Sequence, residues 1–338
     1  MMRPGINKVS LLDTTLRDGS YAVDFKFSTE FAQELMTKLE SAQVDLIEVG
    51  HGLGLEAELA GYDECTIDVE KWCELSNLHL KDSGWGMFVQ PHFSRLPTID
   101  WLTKEGMSFV RVGVEAQGIE SQLDYIESCL SLNTDVYLNI MKTSNVTPDT
   151  LAKYLEQAPK EVAGIYVVDS CGTMLPSRVS EYVQAIRPLN SNVGFHGHDN
   201  LGMANANSLA AIKAGANIVD ATLNGMGRGA GNASTESLAA ILTSQGNSHY
   251  DYQELCKLAD YCSSQLDICS SERYAQVIGG VFGVHSSLFP LIKQLSADLQ
   301  LDFFSLMKLT AQECQKEINE ANITKVAKQV ASAQCEAS

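Results

Sequence analysis

Eight short, largely apolar runs, rich in β-branched residues, recur along the first two-thirds of this chain, and that recurrence constrains its fold more than any other feature. They are Val9–Asp13, Val44–Val49, Gly84–Val89, Phe109–Val114, Val136–Ile140, Gly164–Val168, Val193–Phe195 and Ile218–Leu223. None alternates apolar with polar residues, which is how strands buried on both faces of a parallel sheet read. Stretches of helical period lie between them, such as Ser28–Ala42, Thr147–Ala158 and Pro176–Leu189. Strand starts are about 25 to 40 residues apart, the size of one βα unit. Related phrases announce three later strands: Lys104-Glu-Gly-Met-Ser, Pro159-Lys-Glu-Val-Ala and Lys213-Ala-Gly-Ala-Asn. The glycine in the first and third sits where a helix C-cap belongs. The pattern predicts a (β/α)8 TIM barrel. A doubly wound sheet is the competitor, and its GxGxxG fingerprint is absent after the first strand.

After about residue 265 the strands stop. Gly279-Gly-Val-Phe-Gly is followed by helical spacing over Ser287–Gln300, Asp302–Leu309 and Ala311–Val330. This predicts a barrel over residues 1–265 and a small helical domain over 266–338, with the last eight residues frayed. No low-complexity linker separates the two.

With 42 acidic and 24 basic residues, the chain carries a formal net charge of −18. Such a surface repels phosphate backbones and anionic lipid, so nucleic-acid and membrane binding are not expected. No apolar run reaches the ~18–20 residues of a membrane span, and the first residues lack the apolar core of a signal peptide. The expectation is a cytoplasmic protein. The nine cysteines are odd in number and form no CxxC pair, and they read as free thiols.

Catalytic groups of a barrel sit at the C-terminal ends of strands and in the loops that follow. Three segments put unusual polar residues there. In Leu11-Leu-Asp-Thr-Thr-Leu-Arg-Asp-Gly-Ser-Tyr21, Asp13 ends a strand and Arg17 and Asp18 follow it. Taken alone, this reads most simply as a turn with an ion pair. In Gly194-Phe-His-Gly-His-Asp-Asn200, His196 and His198 stand at i and i+2, and on an extended chain they face one metal ion. Paired core histidines would look similar. Two imidazoles and one carboxylate suit Mn²⁺, Zn²⁺ or Fe²⁺, and Asp18 can join them from strand 1 at the same barrel mouth. In Leu223-Asn-Gly-Met-Gly-Arg-Gly-Ala-Gly-Asn232, four glycines in seven positions fit either a backbone anion cradle or a tight loop. Glu48, Asn139 and Asp169-Ser170-Cys171-Gly172 also lie at or just past strand ends, and a buried Glu48 would find its partner in Arg17.

Together, DTTLRDG, IEVGHGLGL, YVVDSCGTM, HGHDN, NSLAAIKAGANIVDATLNGMG and GGVFGVHSS resemble the DRE-TIM metallolyases, and most nearly the 4-hydroxy-2-oxoacid (4-hydroxy-2-oxovalerate) aldolases. The resemblance covers nearly the whole chain. It implies Mn²⁺, or Zn²⁺, Mg²⁺ or Co²⁺, on Asp18, His196 and His198, with Arg17 stabilising a pyruvate enolate and Ser170 contacting the pyruvate portion. The implied reaction cleaves a 4-hydroxy-2-oxo acid to pyruvate and an aldehyde. It further implies an acylating aldehyde dehydrogenase as partner of the helical part; a homo-oligomer is also expected.

The chain departs from those aldolases at the general base. They carry histidine where this chain has Tyr21 and tyrosine where it has His285. Imidazole accepts a proton near neutrality more readily than phenol, so His285 is the expected base and Tyr21 the orienting group. Glu48 completes the catalytic set. Asn139 and Arg228 join the substrate contacts, Arg228 as a reader of a second carboxylate or a phosphate. Two alternatives remain: a Claisen-type acyltransferase joining acyl-CoA to a 2-oxo acid, whose GERxGN loop glutamate is missing here, and a silent barrel kept as a binding protein.

Overall fold

The computed structural model describes residues 9–246, 249–266, 273–314 and 318–337. Its strands are β1 (Ser10–Asp13), β2 (Leu46–Glu48), β3 (Gly84–Val89), β4 (Phe109–Glu115), β5 (Asp135–Met141), β6 (Gly164–Asp169), β7 (Val193–Gly197) and β8 (Ile218–Ala221). They form a closed barrel in sequence order, every pair parallel, with β8 returning to β1 through Ser10 opposite Ile218. This is the expected (β/α)8 architecture. Observed strand ends lie within two residues of the expected ones. β2 is the shortest, because Val44 and Asp45 precede the ladder and Val49 leaves it.

The barrel helices are α1 (Thr29–Ser41), α2 (Val69–His79), α3 (Leu96–Lys104), α4 (Leu123–Leu130), α5 (Pro148–Leu155), α6 (Pro176–Ile186), α7 (Ala204–Ala214) and α8 (Thr235–Ser244). Each begins and ends for local reasons. Ser28 and Thr147 cap α1 and α5 by accepting from Phe31 N–H and Thr150 N–H. Gly106 and Gly215, both at positive φ (115° and 110°), close α3 and α7 as expected. Each helix lays an apolar stripe on the barrel. In α1 that stripe is Phe31, Leu35, Met36 and Leu39, all buried.

Inside the barrel, large and small residues interlock. Leu12, Phe109, Tyr137, Tyr166, Val168 and Ile218 fill one layer. Gly194 lies against Tyr166, and a Cβ there would stand 2.4 Å from the tyrosine ring. That filled layer closes the barrel from within, so polar groups gather nearer the C-terminal strand ends.

A ninth helix, α9 (Tyr252–Gln265), packs on the barrel through Leu255, Leu258 and Cys262. Sequence spacing did not single it out. The expected domain boundary at 266 falls beside residues 267–272, which lie outside the described residues. Beyond it come α10 (Arg273–Phe282), α11 (Phe289–Asp298), α12 (Phe303–Glu313) and α13 (Glu320–Ala337), with a core of their own built on Val284, Phe289, Ile292, Leu306, Met307 and Ile323. Two expectations are corrected here. The helix expected over Ala311–Val330 is divided: α12 runs on to Glu313 and α13 starts at Glu320. The backbone expected to fray after residue 330 is helical to Ala337. Seven cysteines among the described residues are free thiols; Cys269 and the Cys335 side chain lie outside them. No single helix among the described residues is long and apolar enough to cross a membrane.

Candidate metal centre and active site

The turn after β1 delivers Arg17 and Asp18. Backbone N–H groups of Arg17, Asp18 and Gly19 all donate to Thr14 O, which coils the segment tightly at the barrel mouth. Arg17 is 5% exposed and Asp18 3%. Arg17 donates from Nε to Glu48 Oε2 at 2.5 Å and from Nη1 to Asp18 Oδ1 at 2.7 Å. Among the described residues nothing accepts from its Nη2. Glu48, fully buried at the end of β2, is therefore the partner of Arg17 that its burial called for.

His196 lies in β7 and His198 one residue beyond it, so the two-residue period sends both rings to one side. Their centroids are 5.1 Å apart and their planes nearly perpendicular. One ligand atom each from Asp18, His196 and His198 lies within 4.8 Å of the other two. The three residues expected to share a cation are thus brought together from strand ends 1 and 7.

The electrostatics of the cluster suit a cation. Burial alone would raise the Asp18 carboxyl, but Arg17 and the two imidazoles hold it well below the usual range. Burial pushes the His198 imidazole down to about 4, so at neutral pH the ring is uncharged and keeps one nitrogen lone pair free. Asn232 donates from Nδ2 to Asp18 Oδ2 at 2.6 Å, while its own Oδ1 is buried without a partner. An anionic carboxylate, two imidazoles and an orphaned amide oxygen form a donor set that fits a divalent metal.

Beneath the ligands lies a set of charges that inspection of the sequence missed. Arg111, fully buried in β4, donates from Nε to Glu48 Oε1 at 2.7 Å and from Nη2 to Glu48 Oε2 at 2.6 Å. Its Nη1 bonds to Asp220 Oδ2, and the same oxygen faces His196 Nδ1 at 2.9 Å. Arg17, Glu48, Arg111, Asp220, His196 and Asp18 thereby form a closed ring of charged and polar contacts. Arg111 also lies over the Tyr166 ring, 4.8 Å from its centroid. The signal that could have found this ring was present: a lone arginine in Phe109–Val114 and a lone aspartate in Ile218–Leu223, opposite charges inside otherwise apolar strands.

The remaining candidates divide. Asn139 is buried beside Arg111, with its Oδ1 3.5 Å from Nη1. Ser170 accepts the N–H of Lys142 at 2.8 Å, so its hydroxyl is partly committed to the β5 loop. Asp169 accepts from the N–H groups of Thr173 and Met174, and burial pushes its carboxyl up to about 6. Arg228 is half-buried, not loose on the surface. Its guanidinium stacks over Tyr21 at 5.1 Å.

The glycine loop serves its own turns. Gly225, Gly229 and Gly231 all have positive φ, and N–H groups of Gly225, Met226, Gly231 and Asn232 bond within the loop or to the strand end that feeds it. Those donors are unavailable to an anion, which corrects the cradle reading for them. At Gly227 a Cβ would stand 2.2 Å from Asn232 Nδ2, so the loop is small there to let Asn232 reach Asp18.

Tyr21 and His285 differ in their readiness to take a proton. Burial pushes the Tyr21 phenol up to about 12, against the opposing pull of Arg228. His285 stands where Arg228, His198, Lys142 and Asp18 all act on it, and burial first, then Arg228, pushes its imidazole down to about 3. The expected limb near pH ~6.5 is therefore displaced toward acid. Its Nδ1 lies 2.8 Å from Ser287 Oγ and 3.3 Å from Ser287 N. Both contacts are met when Nδ1 accepts, from the Ser287 N–H and from its hydroxyl, which puts the ring proton on Nε2.

The HMGL-like family profile matches residues 110–262. An oxaloacetate decarboxylase from Mycobacterium tuberculosis is 36% identical over 258 residues, 76% of either chain. A 4-hydroxy-2-oxovalerate aldolase from Carboxydothermus hydrogenoformans is 35% identical over 243 residues, 71% of this chain and 72% of its own. The carboxyl transferase domain of Rhizobium etli pyruvate carboxylase superposes with a TM-score of 0.75 at 16% identity, over 96% of this chain and 60% of its own, a likeness of fold alone.

Proposed function

We propose that this chain, which belongs to the HMGL-like (DRE-TIM) family together with the 4-hydroxy-2-oxovalerate aldolases, is a divalent-metal-dependent lyase that cleaves a 4-hydroxy-2-oxo acid to pyruvate and an aldehyde. One observation carries the reading: Arg17, with an uncommitted Nη2, stands beside the convergent Asp18, His196 and His198. Those three residues would hold Mn²⁺ or a similar cation. When bound, it supplies Lewis-acid polarisation of the 2-oxo group.

The chain's own residues do the rest. Breaking C3–C4 sends its electron pair to C3 and on to the 2-oxo oxygen. Arg17 Nη2 donates to that oxygen as the charge develops, and Glu48 and Asp18 keep the guanidinium aimed. The His285 imidazole takes the proton of the 4-hydroxyl as C4 becomes the aldehyde carbonyl. Protonation at C3 then completes pyruvate. Asn139 and Ser170 line the pyruvate portion, and Tyr21 orients the hydroxyl. The substrate is a small 2-oxo acid.

A second reading has its own support. The Mycobacterium tuberculosis relative is named an oxaloacetate decarboxylase, and Arg228 stands ready for a second carboxylate. Loss of CO2 from C4 gives the same enolate and requires no base for a hydroxyl. The two readings share Arg17 and the cation and differ at His285. The test is metal-dependent pyruvate release from a panel of 4-hydroxy-2-oxo acids and from oxaloacetate, with wild type and His285→Asn. Aldol cleavage lost in the variant supports the first reading. Turnover of oxaloacetate alone, unchanged by the variant, supports the second, and a CoA-dependent product would favour the acyltransferase over both.

A further inference from the structure

We infer that Asp220, anchored by Arg111, is a positioning residue that fixes the His196 proton on Nδ1 and so turns the Nε2 lone pair toward Asp18; the consequence for metal rests on the reading of Asp18, His196 and His198 as a cation site. A carboxylate paired to a guanidinium accepts and does not donate, so the 2.9 Å contact between Asp220 Oδ2 and His196 Nδ1 requires an Nδ1–H. With the proton on Nδ1, the ligating lone pair is that of Nε2, which stands 3.7 Å from Asp18 Oδ2. A ligating imidazole whose other nitrogen donates to a carboxylate is oriented and made more basic by it.

Arg111 makes the carboxylate dependable. Asp220 is held at one oxygen alone, since its Oδ1 is buried without a partner. Without Arg111 the whole group would be a buried, uncompensated charge. The same guanidinium grips both oxygens of Glu48, which in turn grips Arg17. One side chain from β4 thus ties the orienter of His196, from β8, to the orienter of Arg17, from β2. Buried ion pairs of this kind are often replaceable by apolar side chains at little cost to stability. Their place directly under the ligands makes geometry, not folding energy, the gain.

The two imidazoles are not equivalent. His198 Nδ1 faces only the backbone carbonyl of Gly231, at 3.3 Å. Both rings have Nδ1 toward an acceptor, but only His196 has a charged one at short range. His196 is the ligand whose orientation depends on a side chain.

The experiment uses the metal-free full chain labelled with ¹⁵N at imidazole. Long-range ¹H–¹⁵N correlations report the His196 tautomer, its signals assigned by their loss in His196→Gln. Mn²⁺ titration calorimetry and thermal melts follow on the same proteins. Wild type is expected to show Nδ1–H and an unprotonated Nε2. Asp220→Ala is expected to lose that tautomer preference and to bind Mn²⁺ about 10–100-fold more weakly. Asp220→Asn keeps an amide oxygen for Nδ1–H, so the tautomer should survive, with a smaller loss of affinity. A wild-type spectrum with the proton on Nε2 overturns the inference, and that measurement needs no variant to fold. So does a folded Asp220→Ala protein with the wild-type tautomer. If wild type binds no Mn²⁺, the cation reading fails, while the tautomer spectra still decide the role of Asp220.

Discussion

Replacing Arg17 by Ala tests whether that guanidinium acts on the transition state or merely on the fold. Arg17 makes two short bonds to carboxylates, 2.5 Å to Glu48 and 2.7 Å to Asp18. Neither carboxylate is stranded by its loss. Glu48 keeps both bonds from Arg111, at 2.7 and 2.6 Å, and Asp18 keeps the amide of Asn232 at 2.6 Å. The stability cost should therefore fall below the ~3–5 kcal/mol of breaking a lone buried pair. The catalytic cost has a separate origin. Nη2 is the donor left over for substrate, and losing one preorganised donor to a developing oxyanion lowers kcat by about 10²–10³, or ~2.7–4 kcal/mol. The assay is steady-state pyruvate release at saturating metal, well below the variant's melting temperature. Arg17→Lys keeps a charge but gives up the fork, so it should recover only part of the rate. A change confined to KM, or a kcat within about tenfold of wild type, would refute the assignment.

Four further expectations follow from the same geometry. His196→Ala and Asp18→Asn should lose bound divalent metal in elemental analysis of protein purified with Mn²⁺, and wild-type content in both would sink the ligand set. Because burial pushes His285 down to about 3, kcat for aldol cleavage should stay level from neutrality well into acid, below the ~6.5 of free imidazole. His285→Asn should lower it throughout and Tyr21→Phe should preserve the profile; the opposite ranking would move the base to Tyr21. Arg228→Leu should raise KM about 10–100-fold for a 2-oxo acid with a distal carboxylate, the worth of one charge-assisted bond, and leave a neutral-tailed substrate nearly unaffected; equal effects on both would remove Arg228 from the pocket. Burial raises Asp13 from 3.8 to about 6, so its ionised form costs the fold roughly 3 kcal/mol above pH 6, a cost relieved as pH falls toward 4. The melting temperature of Asp13→Asn relative to wild type should therefore decline as pH drops from 8 to 5, and a pH-independent difference would contradict the shift.

What the sequence made legible depended on whether a signal was local. The strands were readable because burial on both faces leaves an unbroken apolar run, and α3 and α7 ended where a positive-φ glycine stops a helix. His196 and His198 were readable because the two-residue period of a strand puts i and i+2 on one side, and Asp18 because strand 1 opens at the same barrel mouth. Glu48 and Arg17 were readable as a pair because a buried carboxylate must have a partner. Arg111 and Asp220 were not, since 109 residues separate them and only barrel closure brings β4 and β8 to one interior. The same limit hid the break between α12 and α13: helical spacing continues across it, and only tertiary packing decides where one helix turns back on another. The glycine loop left two readings open, an anion cradle and a tight loop. Its composition fits an anion cradle, but a composition cannot say whether N–H groups point outward or, as at Gly231 and Asn232, back into the loop.

Arg228 gives the Tyr21 and His285 positions a common physical logic. A guanidinium stacks well on a phenol face, and here it lies over Tyr21, whose ring also meets Phe25 edge-on at 5.2 Å. The same stacking on an imidazole would oppose its protonation, because the ring would carry the same charge. Placing tyrosine beneath Arg228 thus lets a cation sit at the mouth of the barrel, where it can meet a substrate's distal carboxylate. The imidazole is carried by the turn between α10 and α11, where Ser287 holds its Nδ1 and burial, with Arg228 acting through space, lowers its affinity for a proton. Under the proposed function, the exchange of residue types that the resemblance implies and the arginine in the glycine loop serve one site. In that proposal Arg228 on its Tyr21 platform reads a charged tail and His285, from the helical part of the chain, takes the proton.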